Sequence, residues 1–136
     1  MNGSASPAFS TRGPVLVVGT GLLGTSLALA LRAAGVEVLL SDTSPTSLAL
    51  ARDMGAGTLH GEDSPEPQVV VVATPPDVAA EVVVAQLSAH PSAVVTDVAS
   101  VKERVVTEVR SRAGAQARRY VGSHPMAGRE RSGAGA

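Results

Sequence analysis

Residues 14–42 read PVLVVGTGLLGTSLALALRAAGVEVLLSD, and the glycine spacing inside this stretch decides the fold. Val15-Leu16-Val17-Val18 is a continuous apolar run, the pattern of a strand covered on both faces. It stops at Gly19-Thr20-Gly21-Leu22-Leu23-Gly24. From Leu22 to Ala34, Leu and Ala recur at helical spacing, and Gly35 is a helix stop. Val36-Glu37-Val38-Leu39-Leu40 is a second strand, ending at Ser41-Asp42. The order is therefore strand, glycine turn, helix, strand, acid. In that context each glycine has its own task. Gly19 permits the tight turn, Gly21 lets the backbone approach a pyrophosphate, and Gly24 lets the helix pack against the strand. The first helical residues, Leu22 and Leu23, carry free N–H groups and the positive end of the helix dipole toward the phosphates. Gly19, Gly21, Leu22, Leu23 and Gly24 are thus the candidate cofactor-binding residues of the loop.

Asp42 lies about 20 residues beyond the loop, where an acid that accepts from the adenosine ribose hydroxyls is expected. A carboxylate there repels a 2′-phosphate, and no Arg follows before Arg52. This favours NAD over NADP. Asp42 equally fits the capping of a turn or of the next helix.

The same alternation continues. Ser44 reads as an N-cap with Pro45 at the first helical position, and that helix runs to about Met54. Thr58-Leu59-His60 reads as a short third strand, and the acidic, proline-containing segment 61–67 as a loop. Val69 to Ala73 is the clearest central strand. Thr74-Pro75-Pro76 repeats the cap-then-proline pattern and opens a helix to about Ala89. Thr74 and Pro75 are candidates for shaping the loop beside the nicotinamide half of a cofactor, although capping alone accounts for them. Ala93 to Asp97 is a fifth strand, Val101 to Ala113 a helix, and Arg119 to Gly122 a sixth strand. Strands joined by helices require crossover connections. The fold class is α/β: a doubly wound parallel sheet of about six strands with helices on both faces, the Rossmann arrangement. Residues 1–12 read as a flexible lead and 13–128 as the dinucleotide-binding domain.

Composition narrows the function classes. The 136 residues carry a formal net charge of −1, which argues for neither a nucleic acid nor an anionic membrane as partner. With no Cys, disulfides, thiolate metal sites and a cysteine nucleophile are excluded, and no metal site is expected. One Tyr (Tyr120) and one Phe (Phe9) leave the core to Val, Leu and Ala. No apolar run approaches a membrane span, and the start lacks the pattern of a signal peptide, so a cytoplasmic location is expected.

The C-terminal third carries a more specific signal. Thr96-Asp97-Val98-Ala99-Ser100-Val101-Lys102 is followed by Gly122-Ser123-His124-Pro125-Met126-Ala127-Gly128 and by Glu130-Arg131-Ser132-Gly133. Together with Gly19-Thr20-Gly21-Leu22-Leu23-Gly24-Thr25-Ser26, these motifs resemble those of the prephenate dehydrogenase family, which includes arogenate dehydrogenase. The resemblance spans about residues 14–133. It implies NAD-dependent oxidation of a ring hydroxyl with loss of the ring carboxylate as CO2, a step of tyrosine biosynthesis. The small-molecule substrate is then prephenate or arogenate.

By the same resemblance His124 is the catalytic residue that takes the hydroxyl proton. A neutral imidazole, with its ordinary pKa of about 6.5, suits that task. Ser100 matches a family Ser that hydrogen-bonds the catalytic His and the substrate hydroxyl. Ser100-Val101-Lys102-Glu103 is also a capping box, which places Ser there without catalysis. Lys102 fits either a position near the substrate carboxylates or a solvated surface. Glu130 and Ser132 match the tail motif, with no independent chemical role. The resemblance further implies a mostly helical domain that holds the dimer interface and an Arg for the substrate side-chain carboxylate. No residue here matches that Arg. Residues 129–136 read as the tail of the last motif, and the sequence as an N-terminal portion, a truncated product or half of a split enzyme. A non-catalytic NAD-binding module is the competing reading.

Overall fold

The segments Val15–Val18 and Val69–Val72 have no polar residue to place in water, so both their faces must be covered, and helices are what cover them. The structure is a computed structural model, described for residues 13–98 and 102–122. Its strands are β1 (Val15–Val18), β2 (Val38–Ser41), β3 (Thr58–Leu59), β4 (Val69–Val72), β5 (Val94–Asp97) and β6 (Tyr120–Gly122). They form one sheet in the order β3-β2-β1-β4-β5-β6. Every pairing is parallel, with Val15 beside both Val38 and Val69. The strand order reverses direction between β1 and β4, so a crevice opens at the carboxyl ends of those two strands.

Helices α1 (Leu22–Ala33), α2 (Pro45–Asp53), α3 (Pro76–Ala89) and α4 (Lys102–Ala113) connect the strands. Two cores result. Leu16, Val18, Val70, Val72 and Val95 meet Ala79, Val83 and Leu87 of α3 and Val105 and Val109 of α4. On the opposite face Val15, Val17, Val38 and Leu40 meet Ala28 of α1 and Ala51 of α2. The side chains facing the sheet from α1 are small: Gly24, Thr25 and Ala28 are its buried residues. That is how a short glycine turn can return a helix so close to its own strand.

The elements expected from the sequence are all present, with shifted ends. Val36 is buried but precedes β2, because its N–H donates to the Leu31 carbonyl at 3.0 Å and closes the end of α1. Pro75, not Thr74, is the N-cap of α3, with ψ 149°. Pro76 holds the preceding residue extended, so the helix starts one residue later than the cap-then-proline reading places it. Arg119 does not open a strand. It ends a 3₁₀ helix, Gly114–Arg119, that the sequence reading omits. Its guanidinium donates to the carbonyls of Leu87, His90 and Ala93 at 2.7–2.9 Å. The carbonyl groups left over at the end of α3 are thus satisfied by a cation, which the helix dipole also favours there.

Candidate functional site

At the end of β1 the chain turns at Gly19, with φ +105°, while its N–H donates to the Ser41 carbonyl at 2.8 Å. A Cβ on Gly19 would sit 2.7 Å from the Ala73 carbonyl oxygen, and one on Gly24 would overlap the Gly19 carbonyl oxygen. The chain's own packing therefore demands glycine at both places. Gly21 is different. It caps α1 with φ −74°, a value open to any residue, and a Cβ there would meet nothing within 4 Å. Nothing in the fold requires glycine at 21; only something entering from outside would.

What lies outside is a cleft of about 890 Å³ at the β1/β4 crevice. It brings together Gly19, Gly21, Leu22, Leu23, Asp42, Thr74 and Pro75 from three separate connections. Gly24 is not among the lining residues, being buried behind the loop. Leu22 and Leu23 are 89% and 57% exposed at its mouth. The floor and wall continue along α3 through Val78, Glu81, Val82, Ala85 and Gln86. Its titratable lining residues, Asp42 and Glu81, are both acidic, and among the described residues no Lys or Arg lines it.

Asp42 is bound into the loop more tightly than its sequence position indicates. Its Oδ2 accepts from the Thr20 N–H at 2.6 Å and the Thr20 hydroxyl at 2.7 Å, and its Oδ1 from the Ser44 N–H at 2.8 Å. Burial by itself raises this carboxyl's pKa. The donors Ser44, Thr20 and Thr43 outweigh burial and hold it below its ordinary value. Asp42 thus does brace the turn, and the bracing keeps it ionised at the cleft. Thr20, 4% exposed, is the residue that sequence reasoning missed. Its place between two glycines marks it only as a loop position. The Ser44 hydroxyl accepts from the Ser47 N–H at 3.2 Å, so α2 has the cap expected of it.

Thr74 is buried at its hydroxyl and makes no hydrogen bond there. An unsatisfied buried hydroxyl is costly, and in native proteins such groups are few. Capping does not explain Thr74, whereas a ligand in the cleft would give it a partner.

Ser100 and His124, with Glu130 and Ser132, lie outside the described residues, as do residues 1–12; Lys102 opens α4. Beside them in sequence, Asp97 is fully buried at the end of β5 and accepts from the Tyr120 hydroxyl at 2.6 Å. Burial, then the hydrogen bond and charge of Asp97, push the Tyr120 phenol above its ordinary range. His90 caps the end of α3, 6% exposed, with Nδ1 3.1 Å from Glu66 and its ring edge-on to His60. The His60 N–H extends β3 by donating to the Leu40 carbonyl. Among the described residues no group of three or more His, Asp or Glu is placed to hold a metal, and no helix is long and apolar enough to cross a membrane.

Comparison with known proteins agrees with this geometry. Residues 27–136 match the family model described as prephenate dehydrogenase, nucleotide-binding domain. The chain is 41% identical over 119 residues to "Probable prephenate dehydrogenase NovF" of Streptomyces niveus, covering 87% of this chain and 32% of that protein. It therefore spans about a third of the length of the curated relative it matches. Among solved structures, an arogenate dehydrogenase of Synechocystis superposes with a TM-score of 0.67 at 25% identity, over 82% of this chain and 40% of that one. A Corynebacterium glutamicum protein assigned as a prephenate dehydrogenase does so with a TM-score of 0.68 at 29% identity, over 85% and 37%.

Proposed function

The chain belongs to the prephenate dehydrogenase family through its nucleotide-binding domain, and from that premise we propose that it holds NAD for the oxidative decarboxylation of prephenate. The observation that carries the cofactor half of this reading is Gly21. Its missing side chain faces an open cleft and serves no packing need. The residues present fit the group. The loop from Gly19 to Gly24 and the first N–H groups of α1 receive the pyrophosphate, with Leu22 and Leu23 at the rim. Asp42 accepts from the ribose hydroxyls. Thr74 and Pro75 stand beside the nicotinamide half, where the Thr74 hydroxyl gains a partner.

NAD, when bound, supplies the hydride acceptor. His124 takes the proton that leaves the ring hydroxyl, and Ser100 orients that hydroxyl and the imidazole. The bond from the ring to its carboxylate breaks, its electron pair enters the ring, and CO2 departs from the aromatic product. These two roles rest on the motif match of Ser100 and His124. Arogenate fits the same chemistry, because the two acids differ at the side chain and not at the reacting ring. The substrate side chain and dimer contacts belong to a helical domain in the family, and a cytoplasmic location is consistent with this biosynthetic reading.

Calorimetry with NAD and NADP tests the cofactor. NAD is expected to bind about tenfold tighter or more, since a 2′-phosphate would meet Asp42 and, among the described residues, no cation. Asp42→Ala should weaken NAD about five- to a hundredfold while changing NADP less, as the loss of charge-assisted hydrogen bonds implies. Equal affinities in the parent chain would overturn the preference. Prephenate and arogenate are then offered to the chain with and without the family's helical domain, and reduced nicotinamide is followed by absorbance. NAD binding with neither acid oxidised under either condition would reduce the protein to a binding module.

A further inference from the structure

Among the described residues two buried side-chain atoms lack a hydrogen-bond partner, Thr74 Oγ1 and Gln86 Oε1. Both residues line the same cleft. Buried polar groups are nearly always paired, so two orphans on residues that line one cleft point to a ligand that pairs them once the side chains turn toward it. Thr74 stands beside the glycine loop. Gln86 stands elsewhere, ten residues along α3 from Pro76 and roughly 15 Å down the helix axis at 1.5 Å per residue. Val78, Val82 and Gln86 share one face of α3 by their spacing of four, and all three line the cleft.

We propose that Gln86 recognises the base of the dinucleotide, its Oε1 accepting from the 6-amino group of adenine while Val78 and Val82 form the apolar wall against the ring. The inference rests on the NAD-binding reading above and adds a specificity residue to it. The argument is one of position and chemistry. Phosphates belong at the loop and helix start, and the nicotinamide half is placed beside Thr74 and Pro75, so the part of the nucleotide left to reach far along α3 is the base at the other end. That part is flat and apolar on its faces, which suits valine walls. It is polar on its edge, where a side-chain amide is a natural partner for adenine. Glu81, on the same helix and at the same cleft, is acceptor-only and exposed, so it is left solvated.

The test measures affinity by calorimetry for two probes: NAD, and the dinucleotide whose base is unsubstituted purine, which lacks the 6-amino group. The parent chain is expected to prefer NAD about tenfold, the worth of one buried hydrogen bond whose loss strands its acceptor. Gln86→Met, of similar shape and without the acceptor, should bring the two affinities within about twofold. It should also melt no lower than the parent, because it removes an unpaired buried oxygen. Gln86→Glu keeps an acceptor and should keep the preference. A parent chain that binds both probes equally, or a preference that survives in Gln86→Met, would overturn the proposal while leaving NAD binding intact. A parent chain that binds neither probe would overturn the NAD reading and this one together.

Discussion

Gly24→Ala is expected to lower the melting temperature by roughly 12 °C or more and to abolish dinucleotide binding, whereas Gly21→Ala should melt like the parent and lose only binding. The two glycines lie three residues apart in one loop, yet they answer to different neighbours. A Cβ on Gly24 would overlap the Gly19 carbonyl oxygen and press on the Ala73 side chain. Backbone cannot yield as a flexible side chain can, so α1 would have to lift from β1. Overpacking of this kind costs about 3 kcal/mol, and each kcal/mol moves the midpoint of a domain this size by roughly 4 °C or more. A Cβ on Gly21 meets no atom within 4 Å and sits at an ordinary φ. Its cost appears only when a pyrophosphate needs that space, as a loss of affinity of about tenfold or more. Thermal melting and calorimetry on the two variants separate these effects. Equal melting losses would mean that both glycines are packing residues and that the cleft has no cradle.

The second large effect is expected at Asp97. Asp97→Leu should destabilise the chain by about 3 kcal/mol, since it removes the acceptor of the Tyr120 hydroxyl and breaks a buried polar pair. Tyr120→Phe should cost about 1 kcal/mol, the usual net worth of one hydrogen bond. The double variant should cost about 1 kcal/mol or more less than the sum, because the second change removes the group that the first leaves stranded. Denaturant unfolding of the four proteins measures this cycle, and additive costs would show that the two side chains act independently. The pair ties β5 to β6, whose register sets Asp97 beside Gly122. The proposed Ser100 and His124 follow these strands by only a few residues.

The sheet was readable because burial on both faces leaves an apolar run with no alternative partner but helices. Val15–Val18 and Val69–Val72 could be placed from composition alone. The glycine loop was readable because its three glycines precede a helix and an acid closes the next strand. Arg119 was misplaced for a physical reason: its three carbonyl partners are about 30 residues away in the chain, and no local pattern announces a long-range cap. Thr20, too, is silent in sequence, since its value lies in donating twice to a residue 22 positions away.

The sequence by itself determined that strands and helices alternate, that a dinucleotide loop opens the chain, and that its motifs are those of one dehydrogenase family. Local spacing suffices for such features, because turn geometry and helical periodicity are set by near neighbours. Only the tertiary structure decided which glycines the packing demands and which it does not. It alone showed that Asp42 braces the loop while facing the cleft, and that Thr74 and Gln86, each with an unpaired buried polar atom, line one cleft. Those distinctions depend on what lies across space from each residue, and that is written in the packing of the sheet and not in the order of the chain.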